Sequence, residues 1–437
     1  MLLRNQLLAV LLAAGQICAC QAQSQPNPQP SGGPTNAPLS TLSAPSASEL
    51  ESLRQGQLPA AQTRFGLKMF QDLFAQQPGA NHFMSPLSLS IALSMLYNGA
   101  NGETRTEMAK AMQLDGMSLA DLNQDNLVLR KRLANPGAGV KLAIANALWG
   151  KQGLSFKPAF LQDNLKFYNA QLQSLDFSSP AAVDTINKWA SDNTNGKIPK
   201  VLNSIDPSII LILMNAIYFK GDWSDPFKES DTRPMTFHKA DGSSKEHPMM
   251  SRHDKLRYLH DTSAKFQAVA LPYGKDSNGN DGQTQMLLFL PDPGSKLTDL
   301  VKQLSDSNWT SWLGQMRSRE GHLVLPRFKL KTEMPLNDTL KRLGMVKAFK
   351  DSEADLSGLI ETGGIRPFVS NVKQDAFVEV NEKGTEAAAV TTITVGATSV
   401  QIPQEPFEMV LDRPFLYAIY DQATSSILFM GALNEPM

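Results

Sequence analysis

Six histidines and two cysteines are the scarce residues from which this 437-residue chain would build a metal site or a nucleophile–base pair. Both cysteines, Cys18 and Cys20, fall in the first 20 residues, so the rest of the chain has no intramolecular disulfide and no thiolate metal site. His253 and His260 are seven apart, a spacing that would align them on one helix face; two isolated histidines so placed are more often surface residues than ligands. The zinc-hydrolase pattern HExxH, the nucleophile elbow GxSxG and the phosphate loop GxxxxGK[ST] do not occur. Arg130-Lys131-Arg132 is a basic triplet of the kind that meets sulfated polysaccharide, yet so short a run is ordinarily a solvated helix face. No cofactor and no metal are implied, and the chain reads as something other than an enzyme.

The informative tract is chemically quiet. Residues 382–398 read Glu-Lys-Gly-Thr-Glu-Ala-Ala-Ala-Val-Thr-Thr-Ile-Thr-Val-Gly-Ala-Thr, with no charge from Ala387 to Gln404 and no proline from Val369 to Ile402. They suit either an exposed loop or a strand. As a strand, one face would present Thr385, Ala387, Ala389, Thr391 and Ile393. The first of these are small enough to enter between existing strands without overpacking, while Glu386 would stay in water. A strand permanently at the centre of a sheet would carry more Val, Ile and Phe. A stretch permanently exposed would invite aggregation. The composition therefore suits a segment with somewhere to go.

The elements that would position it are mixed α and β. Leu67, Phe70, Leu73 and Phe74 have helical spacing, stopped by Pro78-Gly79. Ser85-Pro86 and Ser179-Pro180 each read as an N-cap followed by a first-turn proline. Ile209 to Phe219 is nearly all apolar, as expected of a strand buried on both faces; Met286–Leu290, Ala376–Val380, Phe415–Tyr420 and Ile427–Met430 are shorter strands. A 42% hydrophobic content supplies a large core, and a net charge of -1 argues against nucleic acid as a partner. Residues 58–437 read as one domain.

The N-terminus is an address label. Leu7 to Gly15 is a nine-residue apolar run that would span about 14 Å as a helix, half a bilayer core, so 1–19 reads as a signal peptide. The ending Ile17-Cys18-Ala19-Cys20 resembles a bacterial lipobox, in which Cys20 would be acylated and become the mature N-terminus. The alternative is plain secretion with cleavage after Cys18 or a little beyond. Residues 20–57 hold six prolines among Gln, Ser, Ala and Gly, and are expected to form an extended tether. The expected location is the cell envelope or cell surface, held by lipid alone, or else the extracellular medium.

From residue 60 onward the chain closely resembles the serpin family. Asn81 to Ser88, Gly99 to Thr104, Ile186 to Trp189, Thr194 to Ile198, Asn215 to Trp223, Leu325 to Phe328, Leu343 to Met345, Asp412 to Leu416 and Ile427 to Gly431 match its signatures in order. The resemblance implies an α+β serpin fold: a large mixed main sheet, further sheets, about eight or nine helices and an exposed reactive-centre loop. Glu382, Lys383, Gly384, Thr385, Glu386, Ala387, Ala388 and Ala389 resemble the hinge of inhibitory members. Such inhibitors act as monomers on serine proteases. The target cleaves the loop, becomes an acyl-enzyme, and is trapped when the freed loop inserts as a strand. Inserting about 12–15 residues forms roughly as many backbone hydrogen bonds at ~0.5–1.5 kcal/mol each, a gross gain on the order of ten kcal/mol.

Counting from Glu382 places the reactive bond at Thr398-Ser399, within a range from Val395 to Val400. Every residue there is small or aliphatic, which implies elastase-like or subtilisin-like targets, with papain-like cysteine proteases a lesser possibility. By the same resemblance Asn81, Ser85, Ser88 and Asn215 form a polar cluster beneath the opening sheet. Gln374 stands there in place of the family's usual histidine, and Trp223 marks the top of the sheet. Arg327 is expected to pair with Glu382 at the surface, worth ~0.2–1 kcal/mol. The competing reading is a serpin-fold surface lipoprotein that binds or chaperones without inhibiting.

Overall fold

The computed structural model describes residues 42–361, 366–385 and 405–437. Ten helices occur among them: α1 (Ala47–Gln55), α2 (Leu58–Gln76), α3 (Pro86–Tyr97), α4 (Gly102–Ala111), α5 (Leu119–Ala134), α6 (Pro158–Asp163), α7 (Pro180–Asn193), α8 (Leu297–Lys302), α9 (Asp306–Gln315) and α10 (Asn337–Arg342). The strands are β1 (His82–Met84), β2 (Val140–Lys151), β3 (Gln171–Leu175), β4 (Leu211–Asp222), β5 (Arg233–His238), β6 (Ser244–Asp261), β7 (Phe266–Lys275), β8 (Asp281–Pro291), β9 (Arg317–Pro326), β10 (Phe328–Pro335), β11 (Asn371–Asn381), β12 (Gly384–Thr385), β13 (Phe407–Val410), β14 (Phe415–Asp421) and β15 (Ser426–Leu433).

They form two sheets. One runs β10-β11-β12-β4-β2-β3; the other runs β1-β15-β14-β8-β7-β6-β9-β13, with β5 on β6. Helix α3 lies between the sheets, against β15 of one and β2 and β4 of the other, and all of its residues are buried. The Ser85-Pro86 signal starts it as expected: Ser85 Oγ accepts from the Ser88 N–H at 3.2 Å. The all-apolar run expected as a strand is β4. Leu211, Leu213, Ile217 and Phe219 face the main core, while Ile212, Met214 and Ala216 face Ile186, Trp189 and Ala190 of α7. Both faces are covered, so no polar alternation is needed.

Three expectations change. The tether stretch to residue 57 contains α1, whose Ser46–Glu49 capping box, buried Leu53 and Glu49–Lys131 ion pair at 2.7 Å fix it to the body. His253 and His260 share no helix face, because both lie on β6; His253 stacks on His322 at 4.3 Å and His260 meets Asp292 at 3.1 Å. The basic triplet is no solvated face either. Arg132 pairs with Asp421 at 2.7 Å and Arg130 is buried. No helix among the described residues is long and apolar enough to cross a membrane.

Candidate functional site

Strands β4 and β11 run parallel and pair directly from Ile212↔Asn371 to Ile217↔Ala376. Their mutual ladder then stops. At the far ends β12 lies between them, antiparallel to both: Thr385 opposes Val380 and Gly221, and Gly384 opposes Asn381 and Asp222. Gly384 and Thr385, near the start of the 382–398 tract, thus form a two-residue strand in the centre of the sheet. Over 218–220 and 377–379 the two long strands are no longer paired with each other and diverge to admit it.

Each hinge residue is held by specific atoms. Gly384 has φ +150°, and a Cβ there would stand 2.0 Å from the Gly221 carbonyl oxygen, so only glycine fits. Thr385 is fully buried, its Oγ1 2.6 Å from the Tyr273 hydroxyl. Tyr273 stacks on Trp223 at 4.5 Å, and Trp223 Nε1 donates to the Asn381 carbonyl at 2.9 Å. The Trp223 and Phe227 backbone N–H groups donate to the Lys383 and Glu382 carbonyls at 2.9 and 2.8 Å. Lys383 Nζ, half exposed, stands 3.8 Å from Glu229.

Glu382 corrects the surface-pair expectation. Its side chain is 5% exposed, and Oε1 accepts from Arg327 Nε at 2.7 Å and Thr232 Oγ1 at 2.5 Å. Burial pushes its carboxyl up, but these donors outweigh burial and hold it below the ordinary 4.5. Arg327 remains partly in water, so the anchor is one buried carboxylate reached by a half-exposed cation.

Beneath the sheet a polar row crosses three strands. Gln374 of β11 opposes Asn215 of β4, which opposes Asn146 of β2. Gln374 Nε2 donates to Asn215 Oδ1 at 3.0 Å, and Asn215 Nδ2 donates to Asn146 Oδ1 at 2.8 Å and to Ser88 Oγ. Gln374 also accepts from the Ser85 N–H at 2.8 Å and donates to the Ser85 carbonyl at 2.9 Å, while Ser85 Oγ donates to the Leu428 carbonyl at 2.6 Å. Glutamine uses both its donor and its acceptor where the family usually has histidine. The row fastens β2, β4 and β11 to the start of α3.

Ser85, Ser88, Asn215 and Gln374 come together, whereas Asn81 does not join them. It precedes β1, whose pairing with β15 sets it beside the C-terminus; there it accepts from the Asn434 N–H at 2.7 Å and donates to the Glu435 carbonyl at 2.6 Å. Trp223 also stands apart from the polar row, with the hinge: Gln374 and its own partner Asn381 are seven residues apart on β11, about 23 Å. Asn146, Thr232 and Tyr273 were missed. Asn146 was findable as the one polar residue in Ala143-Ile144-Ala145-Asn146-Ala147-Leu148-Trp149; the other two carry no sequence signal. Cys20, Glu386, Ala387, Ala388, Ala389, Thr398 and Ser399 lie outside the described residues.

Among the described residues this arrangement joins a buried hinge, an ion pair and a polar row. What it offers is a sheet parted at one end, with a strand begun in the gap. A family model described as Serpin (serine protease inhibitor) matches residues 60–436. The chain is 36% identical over 391 residues to the leukocyte elastase inhibitor of Sus scrofa and 35% identical over 390 residues to that of Homo sapiens, covering 87% of this chain and 100% of each relative. Among solved structures it resembles the thermophilic serpin tengpin in the native state (28% identity, TM-score 0.78, 91% of this chain and 99% of that one). It also resembles human thyroxine-binding globulin (27%, TM-score 0.78, 88% and 100%). The chain belongs to the serpin family, as a serpin-type protease inhibitor and not an enzyme.

Proposed function

We propose that this chain is an irreversible suicide-substrate inhibitor of serine endopeptidases, trapping the acyl-enzyme as its cleaved loop enters the main sheet. The observation that carries this reading is β12: Gly384 and Thr385 already occupy the position between β4 and β11 that an inserting strand would extend. The small residues following them in sequence fit that path. Elastase-like or subtilisin-like proteases are the favoured targets. The small and aliphatic residues from Val395 to Val400 suit such pockets, and relatives of this chain are named leukocyte elastase inhibitors. Papain-like cysteine proteases are secondary targets. The partner is held covalently through Thr398 or a neighbour within that range.

The proposal extends to location: a bacterial lipoprotein, exported by residues 1–19 and carried on an acylated Cys20 at the cell envelope or surface, supported by the apolar run and the lipobox-like ending. Metabolic labelling with a clickable fatty acid should mark the chain and fail to mark Cys20→Ser. For inhibition, the purified protein is mixed with pancreatic elastase or subtilisin and run on a denaturing gel. A band near the summed masses is expected. Clean loop cleavage across a protease panel with no such band would leave a non-inhibitory binding protein instead.

A further inference from the structure

We infer that Arg130 anchors a binding site for one halide-sized anion in the cavity between α3, α5 and β2. Of the three consecutive basic residues on α5, Lys131 pairs with Glu49 and Arg132 with Asp421, each at 2.7 Å. Arg130 turns inward. It is 4% exposed, and its Nε and Nη1 have no hydrogen-bond partner among the described residues. Donors and charge left unmatched in an apolar interior are costly, so such a group normally has a ligand or a counter-charge. Burial pushes the guanidinium down to about 10, with neighbouring Tyr168 acting in the opposite direction. That is still well above neutrality, and the group is a cation at pH 7.

The cavity beside it is lined by Ile91 of α3, Arg130 and Leu133 of α5, and Ile144 and Asn146 of β2; the centre of a water-sized sphere has about 10 Å³ to move in, room for one small body. Asn146 has given its Oδ1 to Asn215, which leaves its Nδ2 donor. Apart from the second lone pair of that oxygen, the polar atoms left to the lining side chains are donors, carried by two different elements. A water molecule must donate as well as accept, and the lining side chains offer it only Asn146 Oδ1, which already accepts from Asn215. A monatomic anion needs only donors and a positive charge, and the Ile and Leu walls shield it from solvent. The bound ion would join α5 to β2 through Asn146, the end of the polar row. This inference does not depend on the inhibitory reading.

Two measurements decide it. Crystals grown in sodium bromide should show an anomalous peak at the Arg130 guanidinium. The melting temperature should rise by about 2 °C for each tenfold increase of bromide above its dissociation constant, at constant ionic strength, and Arg130→Met should not respond. Absence of the peak overturns the site whether or not Arg130→Met folds. A peak accompanied by equal bromide responses in the two proteins would mean an adventitious ion only, and overturns it too.

Discussion

Thr385 fills its space completely, with its hydroxyl against Tyr273, so an arginine there has no room inside the sheet. Thr385→Arg should keep the native fold by withdrawing the hinge, yet change the outcome with elastase from a covalent complex to cleaved product. A variant that still trapped protease would contradict insertion through this gap. Glu382 gives a pH test. Because its folded carboxyl is held below 4.5, it stabilises the folded protein above that value and loses the contribution as pH falls through the folded value. Glu382→Gln should cost on the order of 1 kcal/mol at pH 7, measured by urea unfolding, and the difference should vanish in acid. Parallel pH profiles would remove Glu382 from this role. The pairing of Glu382 with Arg327 was legible from the hinge resemblance. Its burial was not, because Thr232 lies 150 residues away in the chain and is of a common type.

Among the elements, the polar row is the most exposed to test. Gln374→Ala leaves the Ser85 N–H and Asn215 Oδ1 buried without their partner, at about 1–3 kcal/mol for each unmatched group. The urea midpoint should fall accordingly, and an unchanged midpoint would mean that other partners replace Gln374. The apolar run of β4 and the Ser-Pro starts of α3 and α7 were readable because local sequence decides them: a continuous β-branched and apolar stretch, a side-chain cap, a preset φ. Two elements were not readable. Helix α1 has a polar sequence with one buried side chain, Leu53, and depends on a cap and an ion pair to α5. Strand β6 is rich in charge, and its pairing with β5, β7 and β9 overrides the seven-residue histidine spacing.

For the whole molecule, completing β12 between β4 and β11 would turn a two-residue wedge into a full strand. A gross gain on the order of ten kcal/mol in a chain of this size corresponds to a melting temperature higher by roughly 10 °C. Protein nicked in the loop should therefore resist heat better than the intact form in a thermal scan, and identical melting would remove the driving force. The sequence by itself determined the family, the polar and small residues set aside for the hinge and the row, and the strands that flank them. These follow from residue type and order. Only the tertiary structure decided that Asn81 binds the C-terminal segment and not the row, that Arg130 Nε and Nη1 are buried without a partner among the described residues, and that Gly384 and Thr385 are already inside the sheet. Each of these depends on which distant segments come within hydrogen-bonding reach, and short-range pattern carries no record of that.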